Sequence, residues 1–341
     1  MTRKNIKKTL LAAAGALVLL VGAGCLMLLT PASGREQTVY LYLDDDDNAD
    51  SVYAKLDTAA ATGSLPGFRL LDACLGYSQR IRPGRYAVTP DMSTLRLFRN
   101  LRNGSQAPVR LTIPVVRTPE RLAAELARHL QPDSATLARC FADEAFCRRY
   151  GCDTATLLCL FLPNTYDVWW NTTPDALMRR MQRESRAFWT DERREQARAA
   201  GLTPNEVITL ASIVEQETAD NSEKPRVAGM YLNRLHRGMK LQADPTVKYA
   251  LGDFSLRRIL HKHLAADSPY NTYRYAGLPP GPICIPSLAS IEAVLRYERH
   301  NYIFMCAKED FSGSHNFAAT GEEHMENARR YAEALDRRGI R

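Results

Sequence analysis

A chain of 341 residues is long enough for two folded domains and an anchor. With 45% hydrophobic and 24% charged residues it has the composition of a globular protein, which excludes a disordered or fibrous one. The formal net charge of +7 comes largely from Arg3, Lys4, Lys7 and Lys8; the remainder, about +3, carries no basic stripe interleaved with aromatics and argues against a nucleic-acid partner.

From Leu10 to Leu29 no charge interrupts the chain, and a run of about 20 apolar residues is what a helix needs to cross a bilayer. Basic residues precede the run, whereas Arg35 is the only early basic residue after it and Asp44 to Asp47 follow. The positive-inside rule therefore puts the N-terminus in the cytoplasm and the rest of a single-pass protein outside it. The competing reading is a cleaved signal, with Gly22-Ala23-Gly24-Cys25 as a lipoprotein-like processing site. Gly22 stands where a larger aliphatic residue is usual and apolar residues continue through Leu29, which favours a retained anchor.

Residues 31 to 37 read as a tether, and Val39 to Leu43 as a short strand. The four aspartates at 44 to 47 lack EF-hand spacing and are expected to be a solvated loop. Pro83-Gly84 marks a turn before a strand at Arg85 to Val88; a helix follows from Ser93 to Leu101 and stops at Asn103-Gly104. Val109 to Val116 alternates as a strand and leads into Thr118-Pro119-Glu120, a helix start. A small α+β module over 38–117 accounts for this pattern. From Asp175 to Ala200 the chain has the composition of one long, partly exposed helix.

The eight cysteines, at 25, 74, 140, 147, 152, 159, 284 and 306, form no Cys-x-x-Cys pair, so no structural zinc site is expected. Those at 140, 147, 152 and 159 cluster. Disulfides are open to them in an oxidising compartment; otherwise they pack as small hydrophobes. His261 and His263 have no third ligand nearby in sequence, and neither a metal nor a cofactor is implied.

Thr203-Pro204-Asn205-Glu206 is a capping box with Pro at the first helical position. The helix it starts runs to Glu217 or Thr218. Val207, Leu210, Ala211 and Val214 share one face, and Glu217 emerges on the flank of that face. A carboxyl group there loses hydration when ionised, so its pKa should rise and suit a general acid. Glu215 lies on the other flank, and residues two apart do not face each other, so the two carboxyls do not act as a pair. Periodicity does not choose between Glu215 and Glu217, and both also fit capping or salt-bridging.

Leu210-Ala211-Ser212-Ile213-Val214-Glu215-Gln216-Glu217-Thr218 resembles the signature of the MltG (YceG-like) endolytic murein transglycosylases. The resemblance continues through Asn233-Arg234-Leu235, Leu241-Gln242-Ala243-Asp244-Pro245-Thr246-Val247, Tyr270-Asn271-Thr272-Tyr273 and Gly277-Leu278-Pro279-Pro280-Gly281-Pro282-Ile283. Upstream, Phe161 to Tyr166 is similar to a Pro-Asp-Thr-Tyr block with Asn164 in place of the aspartate, and His315-Asn316-Phe317 to a closing His-x-Phe element. It is strong over 155–320; the first module is similar only in pattern.

The resemblance implies an α+β protein with an N-terminal transmembrane helix at 10–29 behind a cytoplasmic tail at 1–9, a small LysM-like module at 38–117 and a larger mixed α/β catalytic domain at 118–341. It implies that Glu217 is the catalytic acid, protonating the oxygen that leaves the MurNAc anomeric carbon and then, as carboxylate, helping the 6-hydroxyl close onto that carbon to give a 1,6-anhydro end. A hydrolase of the usual kind needs two carboxyls, and this helix presents one. Glu215 is a supporting candidate. Gln242, Asp244, Tyr270, Asn271, Thr272 and Tyr273 offer hydrogen-bonding groups and aromatic faces suited to sugar rings, and His315 a group that orients a carboxyl or hydroxyl. The implied partners are peptidoglycan glycan strands and wall-synthesis enzymes, at the cytoplasmic membrane and outside the cytoplasm. A membrane-tethered noncatalytic peptidoglycan-binding scaffold and a hydrolase using Asp244 as second carboxyl are the rivals.

Overall fold

The computed structural model describes residues 3–60 and 66–339. Met1 and Thr2 of the expected tail, and the side chains of Arg3, Lys4 and Lys7 on which its orientation rests, lie outside the described residues. The protein is mixed helix and strand, its strands pairing two at a time. It divides into two compact units, Met1–Arg110 with Asp167–Thr172, and Leu111–Tyr166 with Thr173–Arg341.

In the first unit, α1 (Arg3–Leu29) begins within the basic stretch, because Lys and Arg are good helix formers and nothing there breaks the helix. Its Leu10–Leu29 segment has a mean hydropathy of 2.4 and is long and apolar enough to cross a membrane. β1 (Val39–Leu43) is followed by α2 (Ala49–Ala60) and α3 (Pro66–Leu75), two helices not expected from sequence. β2 (Gly84–Val88) then pairs antiparallel with β1, from Val39 opposite Val88 to Leu43 opposite Gly84. α4 (Thr94–Asn103) is capped by Ser93, whose hydroxyl accepts from the Arg96 amide, and ends at Gly104, whose φ of 71° suits glycine. Phe68 meets Tyr77 and Phe98 edge-on in the core. The aspartate run is less free than expected: Lys55 pairs with Asp44 at 3.1 Å and with Asp47 at 2.5 Å, and Asp47 is buried by the contact.

The strand expected from Val109, which runs from the first unit into the second, is short, because Pro114 has no amide hydrogen to continue it; β3 is Val109–Thr112, and within the second unit Ile113 N donates to Asn164 O at 2.9 Å beside the start of β4 (Thr165–Val168). Between these strands lie α5 (Pro119–Ala127), capped by Thr118 as expected, α6 (Ser134–Ala142) and α7 (Glu144–Arg148). The single helix expected over Asp175 to Ala200 is two, α8 (Pro174–Phe188) and α9 (Asp191–Ala199). The Thr190 hydroxyl accepts from the Arg193 amide and starts α9 afresh, while Trp189 is buried at the junction.

α10 (Pro204–Glu217) is the core of this unit. Every residue from Val207 to Val214 is buried, so it is enclosed on all sides and not apolar on one face only. It packs against α11 (Lys224–His236) and is followed by α12 (Asp244–Leu251), α13 (His261–Leu264) and α14 (Leu288–Leu295); α14 touches both α10 and α11. The antiparallel pair β5 (Phe304–Ala307) and β6 (His315–Ala318) and the helix α15 (Gly321–Arg337) complete it. All eight cysteines are free, and those at 147, 152 and 159 are buried as small apolar groups.

Candidate active site

The capping box that begins α10 forms as its sequence predicts. Thr203 Oγ1 accepts from the Glu206 amide at 3.3 Å, and the Glu206 carboxylate accepts from Thr203 N at 2.7 Å. Glu217 is the last helical residue, and Thr218 turns extended with φ of −141°. A carboxylate there is disfavoured twice, by loss of water and by the negative end of the helix dipole. Burial pushes the Glu217 carboxyl up to about 7, against the opposing pull of a hydrogen bond from Tyr231 and, whenever its ring carries a second proton, of His315. Tyr231 Oη donates to Glu217 Oε1 at 2.5 Å. Burial, with Glu217 beside it, holds that phenol well above its ordinary pKa, so it stays a donor.

Glu217 opens onto a cleft of about 370 Å³. Met230, Tyr231 and Arg234 of α11 line one side; Leu241, Gln242 and Asp244 lead into α12; Tyr273, the whole of β5, His315 and His324 close the rest. Arg234 is fixed by Nε to Lys240 O at 2.9 Å, Nη1 to Ile303 O at 2.8 Å, and Nη2 to the Gln242 side-chain oxygen. Gln242 has φ of 52°, a left-handed conformation rare outside glycine and found preferentially at functional sites. Tyr273 donates to Asp244 at 2.7 Å. His315 receives two contacts from one buried carboxylate: Glu223 Oε1 accepts from its backbone amide at 2.7 Å and Oε2 lies 2.8 Å from its Nδ1.

Of the residues singled out in the sequence, Glu217, Gln242, Asp244, Tyr273 and His315 line this cleft. The other four do not. Asn271 is buried and donates to Leu264 O at 2.9 Å and Ala266 O at 2.8 Å. The Thr272 hydroxyl accepts from Ala243 N at 3.0 Å and meets Thr246 Oγ1 at 2.8 Å. Tyr270 packs on Tyr249 with ring centroids 4.7 Å apart. These three brace the segments that carry Gln242 and Tyr273. Glu215 lies in a separate network, where its Oε2 accepts from Lys224 Nζ at 3.1 Å and from the Ser287 and Ser290 hydroxyls, each at 2.5 Å.

Tyr231, Arg234, Glu223 and the β5 wall were not singled out. Tyr231 and Arg234 had a signal, since residues three apart on a helix share a face and Arg234 lies in a motif already noted. Among the described residues, no three His, Cys, Asp or Glu side chains gather as a metal site.

A carboxyl with a raised pKa that ends a buried helix and opens onto a polar cleft fits an enzyme's active site, and the chain belongs to the YceG-like family, whose profile matches residues 41–330. It is similar to an endolytic murein transglycosylase of Bacillus subtilis (strain 168), at 38% identity over 130 residues, covering 38% of this chain and 35% of that protein. It is also similar to an endolytic murein transglycosylase of Streptococcus pneumoniae (serotype 2 strain D39), at 29% identity over 283 residues, covering 72% of this chain and 50% of the relative. The chain thus spans half or less of the length of these curated relatives. The crystal structure of a yceG-like protein from Listeria monocytogenes has the same fold, with a TM-score of 0.55 at 24% identity, covering 86% of this chain and 99% of that one.

Proposed function

We propose that this protein is a lyase, an endolytic peptidoglycan transglycosylase that cuts MurNAc-GlcNAc β-1,4 bonds within glycan strands and leaves 1,6-anhydroMurNAc ends. The observation that carries the reading is the Glu217 carboxyl, half-buried at the rim of a polar cleft with a pKa pushed up to about 7 and held by Tyr231. Such a group holds a proton at neutral pH and gives it to the glycosidic oxygen as the bond to the anomeric carbon breaks. The MurNAc 6-hydroxyl then closes onto that carbon, which requires no water and no second carboxyl as nucleophile. Gln242, Asp244, Tyr273 and His315 supply polar contacts to the sugar rings.

Under this reading α1 is a retained single-pass anchor with its N-terminus in the cytoplasm, 38–117 is a LysM-like module that binds the strand, and 118–341 is the catalytic domain. Cleavage beside wall-synthesis enzymes would terminate nascent strands. Asp244 lines the same cleft, which keeps hydrolysis as the rival. Mass spectrometry of fragments released from purified glycan strands by the full-length chain in detergent decides between them. Internal fragments with 1,6-anhydro ends, lost in Glu217→Gln, are expected; reducing ends would make it a hydrolase, and binding without cleavage would make it a scaffold.

A further inference from the structure

Glu223 is a buried carboxylate whose two oxygens are both spent on one residue. Oε1 takes the His315 amide hydrogen and Oε2 faces Nδ1, and the Glu223 side chain is 7% exposed. Burying a carboxylate is costly unless it is paired and hydrogen-bonded, and its partner here is a histidine on the cleft wall. Because the carboxylate oxygen accepts, Nδ1 carries the hydrogen. In the neutral ring Nε2 is then bare, and it has no protein partner among the described residues. A carboxylate that fixes a histidine tautomer from behind, with the other nitrogen open to a cleft, is the arrangement that makes a histidine a proton acceptor.

We infer that His315 is a second catalytic residue, taking the proton of the attacking hydroxyl at Nε2, and that Glu223 is the positioning residue that keeps Nε2 bare. This rests on the lytic reading above. Within a strand, the 3-oxygen of MurNAc carries the lactyl ether and the 4-oxygen is glycosidic, so its one free hydroxyl is at C6. As Glu217 gives its proton to the leaving oxygen and the C1–O4 bond breaks, O6 bonds to C1 and its proton passes to Nε2. The imidazolium then returns that proton to the Glu217 carboxylate across the same cleft, restoring both groups. No oxidant, metal or water is consumed.

The Glu223→Gln variant tests this without dismantling the contact. The amide oxygen still accepts from the His315 backbone, but the amide nitrogen donates to Nδ1, so the hydrogen moves to Nε2. Imidazole ¹⁵N correlation spectra of the full-length chain in detergent micelles should show His315 protonated at Nδ1 in the wild type and at Nε2 in the variant; the reverse assignment, or no change, overturns the inference whatever the activity. On glycan strands, Glu223→Gln and His315→Asn should lower kcat by about 100-fold or more, the usual worth of a general base, with KM within about twofold. Residual product should contain a larger share of reducing ends, because a hydroxyl that is no longer activated competes poorly with water. Full kcat and wholly anhydro product in both variants, beside a dead Glu217→Gln, would sink the role of His315 and leave the lytic reading standing. Reducing ends from the wild type would sink both.

Discussion

Glu215 and Glu217, two residues apart on α10, occupy opposite electrostatic environments. Burial works to raise Glu215 as well, but the hydrogen bonds from Ser287, Ser290 and Lys224 hold its carboxyl below the ordinary value. The Glu217 carboxyl has one hydrogen bond among the described residues, from Tyr231, and burial wins. The helix turn that sends one side chain toward α14 and the other toward the cleft gives the same amino acid a lowered pKa in one place and a raised one in the other.

Glu217 should cost the fold stability at neutral pH. Its carboxyl titrates near 4.5 in the unfolded chain and at about 7 when folded, so between those values the folded state keeps a proton the unfolded state has lost. Stability therefore falls as pH rises from about 4.5 to 7 and stays lower above. The full difference corresponds to about 3 kcal/mol. Glu217→Gln should be more stable than the wild type at pH 8 and equal to it at pH 4, read by denaturant unfolding at both. Equal stabilities at pH 8 would mean that the carboxyl is better solvated than its burial implies.

Glu215→Ala should do the reverse. Lys224, with 4% of its side chain exposed, would be left as an unpaired buried cation, which typically costs about 3–5 kcal/mol. Because the Glu215 pKa is lowered on folding, its contribution is present above the unfolded value near 4.5 and is lost as pH falls through the folded one. A large loss of thermal stability at pH 7 that shrinks toward pH 3, with unchanged fragment ends from the protein that stays folded, is expected.

The parts of this structure legible in the sequence are those written in local chemistry. The Thr203 to Glu206 box fixed α10, Ser93 and Gly104 bracketed α4, and β1 and β2 followed from their β-branched and aromatic residues. Helix α2 was also local, since Val52, Leu56 and Ala59 recur at helical spacing and are all buried and Asn48 caps it, its side-chain oxygen accepting from the Ser51 amide at 3.0 Å, but that cap follows directly on an aspartate run that reads as loop. The break at Thr190 was hidden because Trp189 and Thr190 sit inside a run of good helix formers. Asn271 and Thr272 look like ligand groups in a sequence, but Asn271 holds its own loop, donating to Leu264 O and Ala266 O, and the Thr272 hydroxyl accepts from Ala243 N, 29 positions away, which only the fold brings near. Glu223 and His315, 92 positions apart, meet for the same reason.

Tyr231→Phe should move the pH dependence of the reaction. The phenol stabilises the ionised form of Glu217, so its loss raises the carboxyl pKa further. A general acid works while protonated, and the alkaline limb of kcat follows that pKa. A hydrogen bond to a charged group is worth about 1.5–3 kcal/mol, which predicts an upward shift of about one unit or more. A limb that stays in place or moves down would show that Tyr231 does not control the acid.

Gly229→Ala should be destabilising although it replaces a mid-helix glycine. At an exposed helical site that exchange gains roughly 0.5–1 kcal/mol. At Gly229, however, a Cβ would lie 2.3 Å from Glu298 O and 2.8 Å from His300 Nε2. That segment is itself tied to α11, with Glu298 N on Pro225 O at 3.0 Å and His300 Nε2 2.9 Å from Arg226 O. Overpacking of this kind costs about 1–3 kcal/mol, and relief by sliding α11 would carry Tyr231 and Arg234 away from Glu217 and Gln242. Gly321, where a Cβ meets nothing within 4 Å, supplies the control. Denaturant midpoints should fall for Gly229→Ala and hold or rise for Gly321→Ala; a rise in both would mean that α11 is free to shift and that the close approach is not what positions the cleft.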